Sequence, residues 1–192
     1  MSNRVILILA VSAIMTAGCQ QSDEANQSVT GNVQGTNAKA GEVPKGSIGQ
    51  ALAGSNEHST LVQAVKAAGL EATLAGSQPY TLFAPNNAAF GKLPGGSADE
   101  LMKSESKARL TALITNHLVP GVVTNEDLSR AIERGGGKTQ LATMGGSTLT
   151  ISKEGNALVV TDAKGGKARV KGAETLQSNG VVHSVDGILS SG

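Results

Sequence analysis

The sequence predicts an α+β domain, with helices first and strands last. Apolar residues between Ile48 and Asn116 recur mainly at three- and four-residue steps, those beyond His117 alternate, and Gly-rich turns separate the alternating runs. A doubly wound sheet would alternate strand and helix throughout, and that pattern is missing. Hydrophobic residues make up 39% of the 192, and the aromatics are Tyr80, Phe83 and Phe90, so the core must be built from Val, Leu, Ile and Ala.

Charge and cysteine usage narrow the function classes. Sixteen Lys and Arg against fifteen Asp and Glu give a formal charge of +1. That excludes the basic footprint of a general nucleic-acid binder and the composition of an acidic, disordered chain. Three aromatics also leave few platforms on which bases could stack. The single cysteine, Cys19, excludes an intramolecular disulfide framework and any metal site built on a cysteine pair.

Arg4 precedes an apolar run from Val5 to Met15, and the small residues Thr16, Ala17 and Gly18 lead to Cys19. This is the layout of a secretory leader, and the run is shorter than the ~20 residues a spanning helix needs. Thr16-Ala17-Gly18-Cys19 resembles the lipobox of bacterial lipoproteins, although that pattern prefers Leu where Thr16 stands. The resemblance implies a signal peptide over 1–18 and an acylated Cys19 that begins the mature chain and enters membrane lipid. Because Gln20 is not the Asp that retains such proteins at the inner membrane, it also implies the outer membrane. Residues 19–44 are rich in Gln, Asn, Ser, Thr and Gly without apolar periodicity, and read as a flexible tether with a reach of roughly 25–30 Å.

The domain is expected over 45–192. Ile48 and Leu52 mark a first helical stretch, and HSTLVQAVKAAG marks a second, stopped by Gly69. Leu70 to Ala75 forms a short amphipathic turn. Tyr80 to Ala84 is a β-prone run closed by Pro85, with Asn86-Asn87 capping a short helix through Phe90. Ala98 to Asn116 is helical, broken near Ser104, with Leu110, Leu113 and Ile114 on one face. Strands are expected at Leu118–Val123, interrupted by Pro120-Gly121, and at Gln140–Thr143, Ser147–Ser152, Ala157–Thr161, Ala168–Val170 and Val181–Leu189.

Three blocks in this order resemble the fasciclin (FAS1) family. Thr81 to Phe90 (TLFAPNNAAF) is similar to the family's first signature. Leu113, His117, Val119, Pro120 and Gly121 fall on its second, and Ser178 to Asp186 (SNGVVHSVD) resembles its third. The similarity covers about Lys45 to Leu189 and implies a single twisted β-wedge, mostly antiparallel, with N-terminal helices. Asn116 departs from the pattern, since many members carry Tyr before the histidine as part of an adhesion motif proposed for animal members.

Catalytic readings of these residues fail on geometry. His183, Ser184 and Asp186 invite a triad, but strand neighbours point to opposite faces. Gly137-Lys138-Thr139 mimics the tail of a phosphate loop, yet Ile132 stands where its first glycine is required, and a helix precedes it where a strand is needed. His58, His117 and His183 have no metal-ligand spacing, so neither a metal nor a cofactor is expected. The Lys103 to Arg109 charges read as a solvated helix face.

Thr81, Phe83, Ala84, Pro85, Phe90, Asn179, Gly180, His183 and Asp186 are therefore read as structural. Phe83 and Phe90 are expected together beneath the strand-to-helix turn, and Asp186 as an acceptor of backbone hydrogen bonds. The resemblance implies a non-catalytic adhesion or protein-interaction role, with Leu113, Asn116, His117, Val119, Pro120 and Gly121 as the contact surface. The second reading is a carrier for a small hydrophobic ligand such as a pigment or lipid.

Overall fold

The computed structural model describes residues 46–92 and 98–190. The leader, Cys19 and the tether lie outside the described residues. The fold is α+β, as the sequence predicts.

Helix α1 (Ile48–Ala53) opens on a reciprocal cap, in which Ser47 Oγ accepts from the Gln50 amide and Gln50 Oε1 accepts from the Ser47 amide. α2 (Ser59–Ala68) buries Leu61, Ala64, Val65 and Ala68 on one face. It stops where Gly69 takes φ 75°, a left-handed conformation that costs glycine nothing. α3 (Glu71–Ala75) leads to β1 (Tyr80–Pro85), and Asn86 caps α4 (Asn87–Phe90) by accepting from the Ala89 amide. α5 (Ala98–Leu101) and α6 (Lys107–Asn116) are separated by a 3-10 turn at Ser104–Ser106, where the sequence predicts a break.

β2 (Leu118–Pro120) is shorter than expected, because Gly121 turns the chain at φ 94°. α7 (Asn125–Arg134) then interrupts the run of strands, fixed by a second reciprocal cap between Thr124 and Asp127. β3 (Lys138–Ala142), β4 (Thr148–Glu154) and β5 (Ala157–Thr161) follow as a meander. β6 (Lys167–Gln177) is much longer than the expected Ala168–Val170, and β7 (Gly180–Val185) stops before Asp186. A bulge between Lys171 and Thr175, with Gly172 at φ 69°, breaks the alternation in β6 that would have revealed its length.

The strand order is β2-β1-β7-β6-β5-β4-β3. Every pair is antiparallel except β1 and β7, which run parallel from Tyr80 against Gly180 to Pro85 against Val185. The turn after β3 reaches back to the far edge, where the Met144 amide donates to Leu118 O (2.8 Å) and the Gly145 amide to Thr115 O (3.1 Å). The sheet thus wraps on itself.

Two cores result, one on each face of β1 and β7. Inside the wrap lie Phe83, Val119, Leu128, Ile132, Leu149, Ile151, Val160, Val185 and Leu189, with α7 as the plug. Outside, Leu82, Ala84 and Val182 pack against Ile48, Leu61, Leu74, Phe90, Leu110 and Ile114 from the helices. Phe83 and Phe90 therefore do not share a pocket beneath the turn. Alternate residues of a strand face opposite ways, so β1 sends Phe83 inward while Leu82 and Ala84 face the helical layer that holds Phe90. Phe83 is fully buried. Phe83→Ala is expected to cost about 3–5 kcal/mol of stability, read as a fall in the urea midpoint without loss of slope.

Candidate functional site

The three distant sequence blocks become three adjacent strands. Thr81 pairs with Val119 on one side and Val181 on the other, and Phe83 pairs with His183. Their polar side chains are consumed in joining this centre to its surroundings.

Thr81 Oγ1 donates to Gly121 O and accepts from the Val123 amide, both at 2.8 Å, which pins the loop after β2. Asn179 ties the β6–β7 turn to two helices. Its Oδ1 accepts from the Ile48 amide (2.8 Å), and its Nδ2 donates to Leu74 O (2.9 Å) and Gly76 O (2.7 Å). Gly180 lies so close to β1 that a Cβ would overlap the carbonyl oxygen of Tyr80. Asp186 Oδ1 accepts from the Arg169 amide (2.8 Å) and Oδ2 pairs with Lys171 (3.3 Å), the acceptor role expected of it.

The histidines are internal joints. His117 Nδ1 donates to Leu113 O (2.8 Å), so its Nε2 carries the lone pair that accepts from the Leu189 amide (3.0 Å) and holds the C-terminal segment inside the wrap. His183 stacks on Phe83 with ring centroids 5.2 Å apart and donates from Nε2 to Val123 O (2.8 Å). Its Nδ1 has no hydrogen-bond partner among the described residues, and Glu174 Oε2 stands 4.0 Å away. Ser184 points to the other face, where it meets His58 Nε2 at 3.2 Å, and His58 Nδ1 meets Ser55 Oγ at 2.9 Å. Sequence spacing could not bring His58 and Ser184 together across 126 residues. Neither ring nitrogen of His58 has a carboxylate partner among the described residues, so the ring lacks the acidic orienting group of a hydrolase triad. Among the described residues no three His, Cys, Asp or Glu side chains are grouped to hold a metal ion.

The expected contact segment is mostly interior. Leu113, Asn116, His117 and Val119 are all less than a tenth exposed, because α6 buries this face against the helical core and β2 lays Val119 inside the wrap. They cannot serve as a contact surface in this fold. Asn116, where the family pattern has Tyr, accepts from Thr143 Oγ1 (3.2 Å) and packs against Gly145, at which a Cβ would overlap its Oδ1. Pro120 is exposed and Gly121 half-exposed. The adjoining surface includes Val122, 50% exposed, and Met144, 40% exposed beside Leu118. No motif marked either residue.

A groove of about 410 Å³ opens between α1, α2 and α3, floored by Leu52, Val62, Val65 and Leu74. Ser47, Lys66, Glu71 and Ser178 supply polar groups to its lining.

The family model for the fasciclin domain matches residues 56–191. The chain belongs to the fasciclin family. It is 37% identical over 143 residues to protein sll1483 of Synechocystis, covering 74% of this chain and 72% of that one. It is 30% identical over 185 residues to immunogenic protein MPB70 of Mycobacterium bovis, covering 94% and 83%. The structure of a FAS1 domain pair from the insect cell adhesion molecule fasciclin I superimposes with a TM-score of 0.67 at 20% identity. That match covers 77% of this chain, which spans about half of the pair (52%).

In this fasciclin domain burial lowers the pKa of all three histidines, and that of His117 to about 4. The unfolded chain takes up a proton near pH 6.5 that the folded chain refuses until about pH 4. Stability should therefore fall as pH drops from 6.5 toward 4, by about 3 kcal/mol for His117 alone, with His58 and His183 adding in the same direction. Urea midpoints at pH 7.5, 5.5 and 4.5 read this directly. Equal midpoints would contradict the buried, neutral His117.

Proposed function

We propose that this chain is an exported, lipid-anchored protein of a bacterial envelope whose fasciclin domain acts by non-catalytic contact at a surface. One observation carries the reading. The polar residues of the family blocks hold strands and helices together, while the end of β2 and the loop after it leave the side chains of Pro120 and Val122 open to a partner, with Met144 beside the start of β2. The likeness to a cell adhesion molecule supports an adhesive role. The leader pattern ending at Cys19 supports export and acylation, and Gln20 supports the outer membrane. No helix among the described residues is long and apolar enough to cross a membrane, so anchorage in this proposal rests on the acyl chains at Cys19.

A second reading is favoured by the groove between α1, α2 and α3. At about 410 Å³ it falls within the range of small-molecule sites, and the second reading is a carrier that holds a small hydrophobic ligand there.

Cells making the full chain should incorporate labelled palmitate, and the Cys19→Ala variant should not. Val122→Asp and Met144→Asp are exposed changes expected to shift stability by no more than about 0.5 kcal/mol, yet to reduce attachment of the host cells to a surface. Attachment unchanged by these variants, and by deletion of 45–192 with the leader and tether kept, would sink the adhesive role.

A further inference from the structure

Asn179-Gly180 is the single Asn-Gly pair in the chain. Such a pair carries its own reactivity, because the amide nitrogen of a residue without a Cβ reaches the carboxamide carbon before it with the least hindrance. In that reaction Gly180 N bonds to Asn179 Cγ while the Cγ–Nδ2 bond breaks, and ammonia leaves with the proton of the Gly180 amide. Water then opens the cyclic imide at one of its two carbonyls. Position 179 is left as an aspartate, or as an isoaspartate whose main chain runs through the side-chain carboxyl.

The fold holds this chemistry still. Asn179 is 6% exposed, and its carboxamide is bonded at both ends, from the Ile48 amide to Oδ1 and from Nδ2 to Leu74 O and Gly76 O. Its backbone is held as well, since the Asn179 carbonyl accepts from the Tyr80 amide (3.1 Å) and Gly180 pairs with Gln177 in β6 and with Tyr80 in β1. Attack requires the carboxamide to leave all three bonds and swing onto its own backbone, so the turn must open first. Neither product can close it again. A carboxylate has no N–H to donate, and it sets an oxygen against the carbonyls of Leu74 and Gly76. An isoaspartate adds a methylene to the main chain directly before Gly180, where the Tyr80 carbonyl leaves no space even for a Cβ.

We propose that Asn179 is a self-modifying site gated by the fold, at which each opening of the β6–β7 turn exposes the residue to a one-way conversion to acid that loosens the docking of α1 and α3. The carboxamide that docks the helical layer thus also sets how long the layer stays docked.

The test is to hold the full chain at mildly alkaline pH, in buffer and in urea above its midpoint, and to map its peptides by mass spectrometry over time. In urea the peptide containing Asn179 should convert to the acid, while Asn156, exposed but followed by Ala157, stays an amide over the same period. In buffer the conversion at Asn179 should be at least about a hundredfold slower, because a rate gated by opening is scaled by the open fraction. Low urea should raise it in step with that fraction. The converted protein carries one more negative charge and separates by ion exchange. It should unfold at a lower urea concentration, with the amides of α1 exchanging at least about tenfold faster than before conversion. Conversion in buffer as fast as in urea would remove the gate, and no conversion in urea would remove the site. A converted protein with unchanged midpoint and exchange would remove the one-way consequence.

Discussion

Everything in this domain hangs on the parallel contact between β1 and β7. The two strands are joined over six consecutive residue pairs and are buried on both faces, with the wrapped sheet on one side and the helices on the other. Burial on both faces explains why β1 is nearly continuous in apolar side chains instead of alternating. The contact also requires a residue without a side chain, since only glycine at 180 admits the Tyr80 carbonyl. Asn179, one residue earlier, answers three backbone groups of α1 and the α3 region, so the same turn that aligns the strands also docks the helical layer.

That arrangement assigns the signature residues to architecture. His117 spends both ring nitrogens on backbone groups, one at the end of α6 and one in the C-terminal segment. A protonated ring there would press an N–H against the Leu189 amide, so burial and bonding both favour the neutral form. Pro120 and Gly121 are the residues of the second signature that reach solvent, and beside them Val122 and Met144, outside the signatures, are exposed.

The sequence made local features legible and distant ones only by resemblance. Gly69, Asn86 and the break near Ser104 act over a few residues, and each falls where periodicity and capping chemistry put it. The β1–β7 pairing joins residues about a hundred positions apart, and no period reports such a partner. The expected β6 is short because its bulge at Gly172 interrupts the alternation, whereas the helix expected ahead of Gly137 is α7, whose start is set by the cap between Thr124 and Asp127. Four of the six residues expected at the contact surface are buried for a related reason. Leu113, Asn116, His117 and Val119 stand together in a signature, but a signature records what a fold needs as readily as what a partner touches. Val122, Met144 and the groove became visible only once solvent exposure was known.

The dependence of the whole on β1 and β7 can be measured by native-state amide hydrogen exchange. The amides of Leu82, Phe83, Val182 and His183 should exchange only through global unfolding, with opening free energies equal to that from urea denaturation and at least as high as those of β3 and β4. Faster exchange in β1 and β7 than in the β3–β4 hairpin would place the organising contact elsewhere and contradict this account.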